Sequence, residues 1–388
     1  MSATGIIAEF NPLHSGHEYL IKQAKQSGTV VCVLSSNFVQ RGDTAILEKR
    51  ERTLAALNCG VDIVLELPVL WSMSTAQNFA LGGVSILKCA GCNSMIFGSE
   101  TGDINPLYEA SRIFSSKQFL EDLNTELSKG VTFAAARQTA AENSGLEKGI
   151  LKGANNNLGV EYITAAKKLN FNCDFKTVKR IGAAHDSLVE DKFVSASLLR
   201  EKIKYGDLDF CKKFMPEKSA ELIDSNRISD INRLETAILA TLRTRSIEDL
   251  SRLPDISEGV ENKLFSAIRV ATSFEELYNI IKVKRYTLAR IRRLLLSAFL
   301  GFDNSLFMKV PPYIRVLGFN KNGEEFLRCS LSHSPIPVVT KVSDIKKLSP
   351  TAQKVFATEC RASDLYSLSL SQPLECGMEY TAKLIKTE

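Results

Sequence analysis

Short apolar runs alternate with stretches of helical periodicity through the first half of the chain. Ile6-Ile7-Ala8, Thr29 to Leu34, Val61 to Glu66 and Ser94 to Gly98 are consecutive rather than alternating in apolar character, which predicts strands buried on both faces. Phe175, Val178 and Ile181 belong to a fifth, less regular strand. Between them, 47–59, 75–90, 105–128, 132–143 and 157–169 carry apolar residues at helical spacing. Strands joined by helical crossovers predict an α/β fold, a Rossmann-like, doubly wound parallel sheet over residues 1–203. From 204 to 310 the pattern is mostly helical, with breaks near Pro216, Leu253-Pro254-Asp255 and Ala271-Thr272-Ser273. Pro311-Pro312 punctuates the chain, after which Ile314 to Phe319 and Pro337 to Thr340 read as strands of a small α/β region, 311–388.

The most informative polar positions interrupt the first strand-to-helix passage. Asn11-Pro12 ends the strand, because proline lacks the amide a ladder needs and biases its predecessor away from helix. Leu20, Ile21 and Ala24 then recur at helical spacing, so His17 falls in the first helical turn. His14-Ser15-Gly16-His17 thus sits where free amides and the positive end of a helix dipole face the ligand edge of an open α/β sheet. Gly16 permits close backbone approach, and His14 and His17 can donate to phosphoryl oxygens whose charge grows as pyrophosphate departs. A nucleoside triphosphate is the natural guest. No third ligand stands at a zinc-protease spacing, so no metal site is expected.

Other loops at that edge offer anion-binding groups. Ser195 or Ser197 can cap the helix after the fifth strand, with Arg200 one turn on, either as a plain cap or as a second phosphate element. Arg41, in the polar loop Ser36 to Asp43, can meet a phosphate or carboxylate or lie in an ordinary surface turn. Gly98-Ser99-Glu100 follows the fourth strand, where a glycine admits adenine or ribose. Asn155-Asn156-Asn157 can cap its helix or reach a ligand. Further on, Lys282, Lys284, Arg285, Arg290, Arg292 and Arg293 lie in a stretch free of acidic residues. On one ideal helix Ile281, Leu288, Ile291 and Leu295 form an apolar stripe flanked by all of these cations but Lys284, which suits an RNA backbone or a solvated face.

Composition narrows the class. With 388 residues, 24% charged and 44% hydrophobic, the chain has the make-up of a globular protein with two or three domains. No apolar run reaches the length of a membrane span and no stretch has signal-peptide character, so a cytoplasmic location without membrane association is expected. Nine cysteines without framework spacing are expected to stay reduced, and Cys89-Ala90-Gly91-Cys92 is a lone CxxC. A net charge of +5 is too small to demonstrate nucleic-acid binding.

A strand, His-x-Gly-His and a later Ser-x-Ser-x-x-Arg together resemble the nucleotidylyltransferase superfamily. Gly5 to His17, Ser36 to Asp43, Asp62 to Pro68, Phe97 to Glu100, Asn155-Asn156, Arg180 to Ala183 and Leu253 to Asn262 are similar to the tRNA(Met) cytidine acetate ligase family. The resemblance implies a nucleotidylyltransferase-type fold, with 1–203 as the ATP-binding catalytic domain and 204–310 as a tRNA-binding region. It implies that ATP and acetate form acetyl-adenylate, and that the acetyl group passes to the wobble cytidine of elongator tRNA(Met), giving 4-acetylcytidine. His14 and His17 are the implied catalytic pair. ATP contacts are implied for Ile7, Ala8, Glu9, Phe10, Asn11, Pro12, Leu13, His14, Ser15, Gly16, His17, Glu18, Tyr19, Leu20, Gly98, Asn155, Arg180 and Ile181. Leu13 and Ser15 depart from the aromatic and asparagine usual there, and Ala184 from a larger residue before His185-Asp186.

Acetate is already an anionic nucleophile, so adenylation needs alignment and phosphate stabilisation, with Mg²⁺ expected to share the latter. ATP is thus the expected co-substrate; tRNA and acetate are the expected partners, with no stable protein partner indicated. Two other classes fit the residues: transfer of AMP to a small phosphorylated metabolite, and a noncatalytic RNA-binding protein.

Overall fold

The computed structural model describes residues 2–180, 194–257, 259–282 and 286–388. Ten strands form in chain order: β1 (Ala3–Ala8), β2 (Thr29–Ser35), β3 (Phe38–Val39), β4 (Asp43–Thr44), β5 (Ile63–Leu67), β6 (Ser94–Ser99), β7 (Asp174–Lys179), β8 (Ile314–Phe319), β9 (Val338–Val339) and β10 (Ile385–Lys386). The main sheet runs β10-β8-β5-β2-β1-β6-β7, with β9 on β8; β3 and β4 make a separate hairpin. From β5 to β7 every pair is parallel. Chain order reverses between β1 and β6, and ligands of such sheets lie outside the strand ends at that reversal.

The expected strands are present, and the strands and helices differ from their sequence limits by a few residues. Every residue of β1 is buried, as are all of β5 and all but the first of β2. One helical expectation is corrected: 105–128 is two helices, Asn105–Ile113 and Lys117–Ser128. Ser116 splits them, its hydroxyl accepting from the Phe119 amide at 3.2 Å as a fresh N-cap.

The pattern also missed how the C-terminal region is used. The residues past Pro312 share the main sheet instead of forming a separate unit. β8 pairs antiparallel with β5 and carries β9 and β10 in parallel. A continuous apolar core joins Ile7 of β1 and Leu65 of β5 to Leu295 of helix Leu288–Leu300 and Val355 of helix Pro350–Ser367. No helix of the described residues is long and apolar enough to cross a membrane.

A buried ionic cluster, unforeseen from sequence, ties the C-terminal segment to the sheet. The Lys49 ammonium lies 2.6 Å from Glu66, 2.6 Å from Glu359 and 2.5 Å from Glu379. Arg315 adds contacts of 3.2 Å to Glu66 and 2.5 Å to Glu379. All five side chains are buried. The three carboxylates converge closely enough to suggest a metal site, but two cations already fill the space.

Candidate active site

The loop after β1 turns sharply and delivers both histidines to the sheet edge. Phe10 adopts φ +44, a left-handed conformation uncommon outside glycine, and its buried ring holds the bend by packing 5.1 Å from the His17 ring. His14 caps helix Ser15–Lys25: its Nδ1 accepts from the Gly16 amide at 3.0 Å. His17 closes the capping box, its Nδ1 facing the His14 amide at 3.4 Å. The two rings stack at 3.8 Å, inclined by 27°.

That bonding fixes what the rings can do. An Nδ1 that accepts an amide proton leaves the proton of a neutral imidazole on Nε2, so His14 keeps a ring donor there, while the His17 ring also hydrogen-bonds the Pro12 carbonyl. Burial, assisted by the charge of Arg180, pulls His14 down to about 4. Burial first, then His14 and Arg180, pull His17 well below the usual histidine value, against an opposing effect of the Pro12 carbonyl. The pair is neutral at physiological pH and suited to hydrogen-bonding phosphoryl oxygens.

β6 and β7 bring further groups to the same edge. The Arg180 amide donates to the Ser99 carbonyl at 2.9 Å, and its side chain passes Gly98, where an added Cβ would lie 3.4 Å from Arg180 Cγ. Gly98, Arg180 and both histidines thus share one face, whereas Ile181 lies outside the described residues. Asn155 is engaged by Glu100, which accepts from its amide at 3.1 Å and from its side chain at 2.7 Å. Glu100 also accepts from the Asn156 amide at 2.7 Å. Burial works against the Glu100 charge, but these bonds hold its carboxyl below the ordinary value.

Arg200 joins the two candidate phosphate elements. Its guanidinium donates to the Asn11 carbonyl at 2.8 Å and to Ser197 at 3.1 Å. Ser195 caps its helix through the Leu198 amide at 3.2 Å. Arg41 is exposed. Along the loop itself, the side chains of Ile7, Phe10 and Leu13 are buried in the core, and Ser15 donates to the Phe214 carbonyl at 2.8 Å. The departures at Leu13 and Ser15 therefore serve packing and tethering, and Ala184 lies outside the described residues.

The basic stretch is not one helix. Helix Phe274–Ile281 ends before Lys282, and a second helix, Leu288–Leu300, starts afresh at the Thr287 cap. Lys282 is exposed, and Lys284 and Arg285 lie outside the described residues. Arg290 donates to Ser257 at 2.6 Å and pairs with Asp255 at 3.6 Å. Arg293 pairs with Asp255 at 2.8 Å and reaches the Gln40 carbonyl at 3.4 Å. Arg292 stacks over Tyr278 at 5.5 Å. Arg290 and Arg293 are thus committed to internal partners by an aspartate that local pattern did not connect to them.

The β3–β4 hairpin is seated on that second helix. At Gly42, φ +72, an added Cβ would lie 2.6 Å from Arg292 Cβ and 2.7 Å from the Arg293 amide nitrogen. Gly42→Ala is therefore expected to cost about 1–3 kcal/mol in urea unfolding, through left-handed strain and displaced backbone. A change within 0.5 kcal/mol would show that the seat yields freely.

Arg52 is a site residue that the sequence reading missed. Wholly buried, it donates to the carbonyls of Leu47 at 3.0 Å, Glu9 at 2.7 Å and Ser36 at 2.8 Å. It thereby fixes the chain ends leaving β1 and β2; a charged residue inside a helix gave no local sign of this. Cys89 and Cys92 are unbonded thiols, with Cys92 buried and its thiol pushed upward by that burial.

Known proteins are similar to this chain over most or all of its length. Residues 1–379 match the family described as HIGH Nucleotidyl Transferase. A tRNA(Met) cytidine acetate ligase of Thermoanaerobacter sp. (strain X514) is 38% identical, with all of both chains covered. One from Clostridium acetobutylicum is 37% identical over 89% of this chain and 91% of its own. A crystal structure of Thermotoga maritima TmcAL bound with alpha-thio ATP superimposes with a TM-score of 0.91 at 29% identity, covering both chains fully. Full-length matches at this identity place the chain among the tRNA(Met) cytidine acetate ligases of the HIGH nucleotidyl transferase family.

Proposed function

We propose that this protein activates acetate with ATP as acetyl-adenylate and transfers the acetyl group to the wobble cytidine of elongator tRNA(Met), forming 4-acetylcytidine. The observation that carries the reading is the pair of stacked, neutral histidines at the helix start by the reversal of the parallel sheet, in a chain similar over its whole length to enzymes of that name.

The chemistry follows from what the residues can hold. The acetate oxygen attacks the α-phosphorus and pyrophosphate leaves; no base is required. His14 and His17 donate to the phosphate oxygens, with amides of the Phe10–Leu20 loop beside them, and Arg180 supplies a fixed charge past Gly98. Arg41 and Arg200 are the further candidates for an anionic group, Ser195 and Ser197 lying on Arg200's helix. Asn155 acts through Glu100, which orients the helix start against the nucleotide. The histidine and arginine donors fit phosphate oxygens and not a hard cation, so Mg²⁺ would be carried by ATP and water, neutralising phosphate charge.

We assign 1–203 to ATP binding, with 311–388 completing its sheet, and 204–310 to tRNA contact. Within the basic stretch Lys282 is the exposed group available to an RNA backbone, Arg292 being half-buried against Tyr278. The location that fits a tRNA substrate is the cytoplasm.

The test is incubation with ATP, labelled acetate and total tRNA, followed by digestion. Label in 4-acetylcytidine of tRNA(Met) is expected. Bound ATP without incorporation would favour AMP transfer to a metabolite, and RNA affinity without turnover a noncatalytic protein.

A further inference from the structure

The second half-reaction poses a requirement that the histidines do not meet. The cytidine amine shares its lone pair with the ring, so attack on the acetyl carbon leaves a nitrogen that must shed a proton. A C–N bond forms, the C–O bond to AMP breaks with its electron pair passing to the phosphate oxygen, and one amine proton needs an acceptor.

Among the described residues, few groups at the strand edge can take it. Each histidine has Nδ1 turned to an amide and its proton on Nε2, so both are donors. Both Glu100 oxygens hold the start of helix Ala154–Lys168. One Asp43 oxygen accepts the Thr44 amide at 2.8 Å, and Arg292, Lys204 and Arg200 surround that side chain. Glu9 and Asp43 each have one oxygen so held and the other without a hydrogen-bond partner among the described residues, but Glu9 stands at the end of β1, directly before the histidine loop, its held oxygen accepting the Gln40 amide at 3.0 Å. The Arg52 guanidinium holds the Glu9 carbonyl at 2.7 Å, so backbone and side chain are both set in place.

We propose that Glu9 is the base that takes the proton from the cytidine amine during acetyl transfer, an assignment that rests on the acetate ligase reading. Its second carboxylate oxygen accepts the proton at the end of β1, beside the loop carrying the acyl-phosphate donors, and returns it to solvent. The charge environment suits such a base. Burial raises its proton affinity, while the Gln40 amide and the nearby Arg41, Arg200 and Arg52 oppose that rise. Tyr162, buried on helix Ala154–Lys168, also feels the Glu9 charge. A carboxylate displaced upward from its usual range is a better acceptor for an amine proton than an ordinary exposed one.

The experiment supplies synthetic acetyl-adenylate and tRNA to the full-length enzyme, bypassing the first step, and follows 4-acetylcytidine in single turnover between pH 5 and 8. The wild-type rate is expected to fall as pH drops through the Glu9 titration. Glu9→Gln is expected to lower the rate at pH 7.5 by about 10²-fold or more and to abolish that acid limb. Glu9→Asp is expected to recover part of the rate together with the limb, and ATP titration to show a much smaller loss of affinity in both variants. Transfer unaffected by Glu9→Gln would overturn the proposal, as would an acid limb removed by Asp43→Asn instead. ATP affinity falling as far as transfer would reassign Glu9 to a structural role. A wild-type enzyme that forms no 4-acetylcytidine from acetyl-adenylate would refute the acetate ligase reading itself, an outcome distinct from any effect confined to Glu9.

Discussion

His17→Ala is expected to lower acetate-dependent release of pyrophosphate by about 10²–10³-fold, the loss typical of removing one preorganised donor from a developing anion. His14 requires a finer substitution, because it also caps a helix through the Gly16 amide. His14→Asn keeps a capping oxygen and removes the outward ring donor, so the rate should fall comparably while urea stability changes by less than about 1 kcal/mol. Burial holds His14 near 4 and His17 well below its usual value, so neither gains a proton between pH 6 and 8. The adenylation step should therefore show no inflection near 6.5. A rate retained within threefold in His17→Ala, or a histidine-like inflection in the wild type, would remove the pair from the phosphate-binding role.

The largest stability effect is expected at Lys49. Lys49→Met leaves Glu66, Glu359 and Glu379 buried with Arg315 as their only remaining cation in the cluster. Stripping one partner from a buried ionic group costs about 3–5 kcal/mol, because the charges left behind cannot regain their hydration. Urea unfolding would measure this as a lower midpoint. Adding Glu359→Gln should restore part of the loss, since one surplus carboxylate is then neutral. A loss below 1 kcal/mol in Lys49→Met would mean that the cluster protonates or hydrates readily and contributes little.

The contrast between these two sites shows where the sequence was readable. The histidine site lies within seventeen residues, and its strand end, proline, cap and helical period are local signals. The parallel strands were visible for the same reason: runs such as Val30 to Leu34 can be apolar throughout only if both faces are covered. Pairing of β8 with β5 joins residues some 250 positions apart, and strand periodicity carries no address for its partner. Lys49 and Arg52 look like solvated charges in Lys49-Arg50-Glu51-Arg52; distant carboxylates and loop carbonyls are what make their burial tolerable. Helical pattern likewise carried Ile281 to Leu295 as one stripe, because a cap at Thr287 and an aspartate at 255 decide the outcome from outside it. Gly98 was offered by its place after the fourth strand and Arg180 by resemblance alone, and their neighbourhood became physical only once β6 and β7 lay side by side.

The antiparallel seat of β8 has a consequence for synthesis. A chain emerging from the ribosome presents the parallel strands first, with one edge of β5 open and Lys49 still lacking Glu359 and Glu379. That edge is closed only when residue 319 is available, and the last carboxylate arrives at residue 379. The parallel strands are thus completed by residues translated some 250 positions later, and a nascent chain stalled in the helical region carries an unpaired strand edge open to aggregation.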